Sequence, residues 1–278
     1  MFRPRARTLP RRAFLGDVGK GTVALAIFTP VLLASCGSES NGGLAAASTT
    51  TSSVTTSSTS TTTTTTSNDD PPTDPATDPD PNVLLRWGRT NLGFVSAYVL
   101  VRGTEAAIVD TGTSGSAPAI GQTLSDFGLG YADVAHVILT HHHPDHIGSI
   151  GAVLELAAAA DAHAGEADLD EIALDSINPL LGGEEIFGLE VLATPGHTDG
   201  HISVIDHDTG LLVAGDAINA LDGGVQGPNP AFSTDIGAAN DSVRRLAELS
   251  FNTLLVGHGD PVEGNADTAV FDMAASLS

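Results

Sequence analysis

The sequence predicts an α/β fold built in layers, and three observations point there. From Val83 onward, short β-branched runs are separated by Gly and Asp turns, these runs alternate with stretches of helical periodicity, and histidines stand where strands end. Residues 95–101 and 106–110, joined by the turn Arg102-Gly103-Thr104-Glu105, read as a hairpin. Further strands are expected at 135–140, 190–193, 201–206, 211–215 and 253–256, with helices near 116–127, 147–159 and 235–249. Pattern alone does not separate a sandwich from an open sheet.

The residues before Val83 have a different character. Of 34 acidic and 11 basic residues in the chain, only Asp17 and six basic residues precede Cys36, which leaves 33 acids against five arginines and no lysine from there on. The segment Arg11-Arg12-Ala13-Phe14-Leu15, then Lys20, then the apolar stretch from Thr22 to Ala34, has the order of a signal peptide: charged, apolar, small. It resembles a twin-arginine export signal, with Arg11 and Arg12 as its pair. The run closes on Leu33-Ala34-Ser35-Cys36, similar to a bacterial lipobox, and Cys36 is the only cysteine. The resemblance implies cleavage and lipidation at Cys36, a membrane lipid anchor, and an exported protein on the outer face of the cytoplasmic membrane. The apolar run is shorter than the roughly 20 residues a spanning helix needs, and it contains Pro30. Residues 37–82 are rich in Ser and Thr, then in alternating Asp and Pro, a composition that buries too little apolar surface to offset ordering entropy. Three segments are expected: a signal peptide at 1–36, a disordered linker at 37–82 and one folded domain at 83–278. The strongly acidic surface repels polyanions, which argues against a nucleic-acid partner and for a small-molecule substrate.

Four of the ten histidines stand within six positions, in Thr140-His141-His142-His143-Pro144-Asp145-His146, directly after an apolar strand. Imidazoles and a carboxylate are the donors that borderline divalent metals prefer. His141 and His143, two apart, share one side of an extended backbone and can share one metal; Asp145 and His146, past the bend at Pro144, would face a second position. A surface histidine cluster is the competing reading, but the pattern HxHxDH arises by chance in on the order of one in a thousand such chains.

On these residues and on four motifs that accompany them in order, the chain resembles the metallo-β-lactamase superfamily over essentially all of residues 83–260. The resemblance implies a four-layer αββα sandwich. Asp110 in Ile108-Val109-Asp110-Thr111-Gly112 matches the family's early aspartate, which supports the metal loop without binding metal. His197 in Thr194-Pro195-Gly196-His197-Thr198 matches the third ligand of the first metal, Asp216 in Ala214-Gly215-Asp216 the carboxylate bridging both, and His258 in Val256-Gly257-His258-Gly259 the last ligand of the second. The implied ligand set is therefore His141, His143, Asp145, His146, His197, Asp216 and His258, holding two divalent ions and a bridging hydroxide, with zinc the default and iron or manganese tolerated. His163 and His201 are expected as further supports of the ligands. His142 should point away from its neighbours, and His136 and His207 read as ordinary strand and turn residues.

The implied activity is metal-dependent hydrolysis. Two cations lower the pKa of a shared water and polarise the oxygen under attack, while Asp145 orients the nucleophile as the catalytic residue and passes its proton to the leaving group. Asp at position 216 resembles thioesterases, lactonases, phosphodiesterases and sulfatases of the family, whereas its β-lactamases usually carry Cys or Ser there. A glutathione-thioester role is disfavoured by the missing helical C-terminal domain and the absence of lysine. A carboxylic ester, lactone or thioester is the expected substrate. The alternatives are a β-lactam or phosphodiester hydrolase, or a metal-containing surface module that binds a ligand without turnover. Residues 166–185 and 219–234, expected to line the pocket, carry no interpretable motif.

Overall fold

A computed structural model describes residues 83–277; the motif at Arg11 and Arg12, the cysteine Cys36 and the stretch 37–82 lie outside the described residues. In chain order the elements are β1 (Arg86–Asn91), β2 (Ser96–Arg102), β3 (Glu105–Val109), α1 (Ala117–Asp126), β4 (Val134–Leu139), α2 (Pro144–Ile147), α3 (Ile150–Leu156), β5 (Asp161–Gly165) and β6 (Asn178–Leu180). There follow β7 (Glu185–Ile186), β8 (Leu189–Ala193), β9 (Ile202–Asp206), β10 (Leu211–Gly215), β11 (Asn219–Leu221), β12 (Gly224–Gln226), α4 (Ile236–Leu246), β13 (Thr253–Val256), β14 (Val262–Glu263) and α5 (Ala266–Ala274).

Two six-stranded sheets result, ordered β1-β2-β3-β4-β5-β6 and β14-β13-β10-β9-β8-β7, with β11 and β12 forming a separate hairpin. The period-two alternation of the strands divides their side chains between two cores. From β2, Tyr98 and Leu100 enter the space between the sheets, where they join Val109, Ile138, Leu189, Val191, Val204 and Val213. Val99 and Val101 face the other way and pack with Ile120 and Leu124 of α1 and Val153 of α3. On the far side, Leu212 and Leu254 pack with Val243 and Leu246 of α4 and Val270 of α5. Three cores between four layers make the αββα sandwich, and each fully buried Leu, Ile or Val contributes about 1.5–3 kcal/mol.

Of the helix expected at 147–159 the structure has α3 alone, and Gly148-Ser149 separates it from the short α2 that precedes it. A Cβ at Gly148 would lie 2.5 Å from the Pro144 carbonyl oxygen and 2.6 Å from the Ser114 nitrogen, so this turn must pack directly on the loop after β3. Ser149 seals the contact, its hydroxyl donating to the Thr113 carbonyl at 2.6 Å and accepting from the Ser116 N–H at 2.8 Å. Strands β1 and β5 and helix α5 lie where the pattern suggested none.

A buried ion pair crosses the sandwich. Arg102, at the end of β2, lies 3.1 Å from Asp206 at the end of β9, and both side chains are almost wholly buried. The guanidinium also donates to the carbonyls of Phe187, Val83 and Gly188. Asp206 in turn accepts from the Asp208 N–H and the Thr209 hydroxyl, so the buried charges are nearly saturated with partners.

Candidate metal centre

Strand direction gathers the site. β4 runs parallel to β3, and β10 runs parallel to β13; β8 is antiparallel to β9, which is antiparallel to β10, so β8, β10 and β13 point the same way. Asp110, the stretch His141 to His146, His197, Asp216 and His258 follow the C-terminal ends of β3, β4, β8, β10 and β13 respectively. Five separate stretches of sequence therefore deliver their polar residues to one edge of the sandwich.

In one group His141 Nε2 and His197 Nε2 lie 3.0 and 2.9 Å from His143 Nδ1. Each of the two outer rings has its other nitrogen engaged: His141 Nδ1 meets the Thr140 hydroxyl at 3.0 Å, and His197 Nδ1 faces the Ser233 hydroxyl at 3.4 Å. Burial holds all three pKa values below the ordinary histidine value, His197 at about 4 and His141 well below. Three neutral rings thus turn nitrogens toward one point, at separations close to the about 3.3 Å edge of a tetrahedron with 2.0–2.1 Å metal–nitrogen bonds.

The second group is Asp145, His146 and His258, with Asp216 between the two groups. Asp145 Oδ2 lies 3.4 Å from His258 Nε2 and 4.0 Å from His146 Nε2. Asp216 Oδ2 lies 3.1 Å from His258 Nε2 and 3.5 Å from His197 Nε2, while its Oδ1 lies 3.3 Å from His146 Nε2. Despite that proximity, His146 Nε2 and Asp216 Oδ1 are buried without a hydrogen-bond partner. His146 Nδ1 donates to Asp110 Oδ2 at 2.7 Å, so in the neutral ring the Nε2 lone pair faces a carboxylate oxygen. A cation between them, or a proton on Nε2, relieves this. Burial alone would lower the His146 pKa, but the Asp110 and Asp216 charges outweigh it and hold the value well above normal, so this negative surrounding favours a positive charge at Nε2, whether proton or cation. Burial would raise the Asp216 pKa, yet the His146 charge outweighs it and holds the carboxyl well below the usual range. In His258, burial is likewise outweighed by the bond to Asp216, and Nδ1 donates to the Phe94 carbonyl at 2.7 Å, leaving Nε2 toward the site. The residue preceding His258 must be glycine, because a Cβ on Gly257 would collide with the Asp216 carboxylate and the His146 ring. These donors, orphaned or aimed at one another, fit a divalent cation in each group.

Supporting residues fix this geometry. Asp110 accepts from the Thr140 N–H at 2.8 Å and from its hydroxyl at 2.8 Å as well as from His146, from a left-handed backbone conformation with φ of 60°. His201, whose pKa burial pushes down to about 3, donates from Nδ1 to the Thr194 hydroxyl and accepts the Asp216 N–H at Nε2, at 2.8 and 3.1 Å. His163 is placed elsewhere: its Nε2 meets His136 Nδ1 at 3.2 Å across β4 and β5, away from both donor groups, because Ala162 and Ala164 take the alternate positions of the strand. His136 is accordingly its partner rather than an ordinary strand residue.

The sequence reading overlooked Asp168. This carboxylate, 1% exposed in the turn after β5, accepts from the His142 N–H at 3.0 Å, the Thr198 hydroxyl at 2.7 Å and the Gly200 N–H at 2.7 Å. It ties the loop of His141 and His143 to the loop of His197. The His142 ring points outward and brings Nδ1 to 3.2 Å from the same carboxylate, though without hydrogen-bond geometry. An acid three residues beyond a Gly in a segment full of acids gave no local signal, since its partners are 26 to 32 residues away.

The two groups open into a cleft of about 1140 Å³ lined by His143, Asp145, His197, Asp216 and His258 on one side. Further walls come from residues 219–232, from Phe94 and from Ser276 and Leu277 just after α5.

The sequence profile of the Metallo-beta-lactamase superfamily matches residues 90–258. The chain is 31% identical to the uncharacterized protein YobT of Bacillus subtilis, over 59% of this chain and 83% of that protein. It is 30% identical to a hydroxyacylglutathione hydrolase of Cereibacter sphaeroides over 58% of this chain, and spans 60% of that enzyme's length. Among solved structures, a metallo-beta-lactamase family protein of Thermus thermophilus superposes with a TM-score of 0.57 at 27% identity, covering 69% of this chain and 78% of that one. The protein TTHA1623, solved in a di-iron-bound form, superposes with a TM-score of 0.51 at 25% identity, covering 66% and 93%.

Proposed function

Because the chain belongs to the Metallo-beta-lactamase superfamily and is a metallo-hydrolase, we propose that it holds two divalent cations and hydrolyses a carboxylic ester, lactone or thioester. The observation that carries the two-cation reading is the pair of buried atoms without partners, His146 Nε2 and Asp216 Oδ1, set between two groups of converging donors. His141, His143 and His197 would hold one cation, Asp145, His146 and His258 the other, with Asp216 reaching both. Zinc suits the nitrogen-rich first group; iron or manganese is compatible with the more carboxylate-rich second. When bound, such a pair supplies hydroxide at neutral pH and polarises the oxygen of the bond under attack.

Within this arrangement Asp145 has the catalytic role. Its side chain is 24% exposed and faces the cleft, where it orients the attacking water and carries its proton to the leaving group. A site serving structure alone would be closed by protein ligands, whereas this one opens to a cleft large enough for a small organic substrate. Asp216, in place of a sulfur or hydroxyl side chain, supports esters, lactones and thioesters over β-lactams. The similarity to a hydroxyacylglutathione hydrolase, of which this chain spans 60%, keeps the thioester within that group.

We also assign the domain to the outer face of the cytoplasmic membrane, on the motif at Arg11 and Arg12 and the lipobox ending in Cys36. Cys36→Ala is then expected to move the protein from the membrane to the soluble fraction. The functional reading is tested by assaying ester, lactone, thioester, phosphodiester and β-lactam substrates before and after chelation. Hydrolysis of the first three classes that is lost on chelation and in Asp145→Ala is expected. Turnover indifferent to chelation, or confined to β-lactams or phosphodiesters, would overturn it.

A further inference from the structure

Four large apolar side chains stand exposed around a single cleft: Phe94 at 62%, Phe232 at 67%, Leu221 at 41% and Ile236 at 39%. They come from three stretches of the chain, around Phe94, Leu221 and Phe232 to Ile236, and clustered exposure of this kind marks a surface that something apolar covers. The donor groups described above line the same cleft.

Four amide side chains of the cleft walls each make a bond within their own loop. Asn91 accepts from the Gly93 N–H, Asn229 accepts from the Ala231 N–H, Asn219 donates to the Gly227 carbonyl and Gln226 to the Leu221 carbonyl. Arg89 is the one cationic side chain among the described lining residues, and it is committed. Its nitrogens donate to Asp260 at 2.7 Å, to the Gly259 carbonyl at 2.6 Å and to the Ser96 hydroxyl at 2.9 Å. Apart from the cations it would hold, the cleft thus presents hydrocarbon and, among the described lining residues, no uncommitted lysine or arginine to meet a carboxylate.

Resting on the hydrolase reading, we infer that the substrate is an uncharged ester or lactone carrying a hydrocarbon acyl chain. That chain lies along Phe94, Leu221, Phe232 and Ile236, while its carbonyl faces Asp145 and Asp216. Peptidic thioesters bearing several carboxylates, such as those of glutathione, are discriminated against by charge. In the hydrolysis, water adds to the acyl carbon and the carbon–oxygen bond to the leaving alcohol breaks. The water supplies the hydroxyl of the acid formed and the proton of the alcohol released.

The test measures kcat/KM of the full-length, zinc-replete protein on p-nitrophenyl esters from acetate to octanoate, with S-lactoylglutathione in parallel. Each methylene buried along the cleft is expected to raise kcat/KM about twofold to fourfold until the walls are covered. In Phe232→Ala the octanoate-to-acetate ratio should fall about fivefold or more, while Phe271→Ala, equally exposed on α5 but outside the cleft, should leave it unchanged. Ester turnover independent of chain length would overturn the inference and leave the hydrolase reading standing. A higher kcat/KM on S-lactoylglutathione than on octanoate would do the same. No turnover of any of these substrates would overturn both.

Discussion

Asp168→Asn replaces one carboxylate oxygen by an amide NH2 with almost no change in shape, in a place where every neighbour is a donor. Oδ1 accepts from the Gly200 N–H, and Oδ2 accepts from the His142 N–H and the Thr198 hydroxyl. If the amide nitrogen takes the Oδ1 position, it opposes the Gly200 N–H. If it takes the Oδ2 position, the Thr198 hydroxyl can rotate to accept, but the His142 N–H is left facing another donor. Either way one buried backbone donor loses its partner, at about 1–3 kcal/mol, and the bonds that survive lose the strengthening a charged acceptor gives. A destabilisation of about 2–4 kcal/mol follows, enough to lower a urea midpoint by roughly 1 M at unchanged slope. The two loops joined by Asp168 carry His141, His143 and His197, so zinc affinity measured by chelator competition should fall by about tenfold or more. Urea unfolding and zinc competition on parent and variant decide the matter. A midpoint within about 0.5 kcal/mol of the parent, the range of an indifferent surface change, would refute the role drawn for this carboxylate.

Asp110→Asn keeps the left-handed backbone, which asparagine tolerates well, removes the anionic acceptor of His146 Nδ1 and sets an amide NH2 against either that nitrogen or the Thr140 N–H; zinc affinity should drop about 10- to 100-fold, and a change under twofold would count against it. Asp206→Ala strands the buried Arg102 charge between the sheets and should cost about 3–5 kcal/mol in urea unfolding, part of it recovered when Arg102 is replaced by Met in the same chain. Burial beside His136 lowers the His163 pKa to about 4, with Asp161 a weaker opposing influence. The unfolded chain therefore binds a proton the folded one refuses, so this residue's contribution is present above about pH 6.5 and is lost as pH falls toward about 4. His163→Gln should remove one proton's worth of that slope, and a His163 imidazole titrating near 6.5 in the NMR spectrum of the folded parent, assigned by its loss in the variant, would contradict it.

The layered fold was legible wherever β-branched residues and period-two alternation coincide. Residues 253–256 and 211–215 were expected as strands, and β13 and β10 occupy them; α1 lies within one residue of its expected ends. Strand β1, Arg-Trp-Gly-Arg-Thr-Asn, was hidden because it is an edge strand whose side chains stay half in solvent. β5, Asp-Ala-His-Ala-Gly, was hidden for the opposite reason: it is packed on both sides, and alanines fill positions that usually show as Val or Ile. The break between α2 and α3 depends on the loop after β3, more than 30 residues away, which no local pattern contains. At the site, the residues whose chemistry is written in their type, His141 to His146, His197, Asp216 and His258, could be read together because several share a short motif. Asp168 and Ser233, which act through backbone and hydroxyl contacts formed only on folding, could not, and the wrong placement of His163 has the same origin.

The most direct test of a paired cation site is elemental analysis of the natively purified full-length protein alongside His197→Ala and His258→Ala, which each remove a donor from a different group. About two divalent ions per parent chain, falling to about one in each variant, is the expected result. A parent chain that binds no divalent ion, or whose metal content neither substitution lowers, would contradict it.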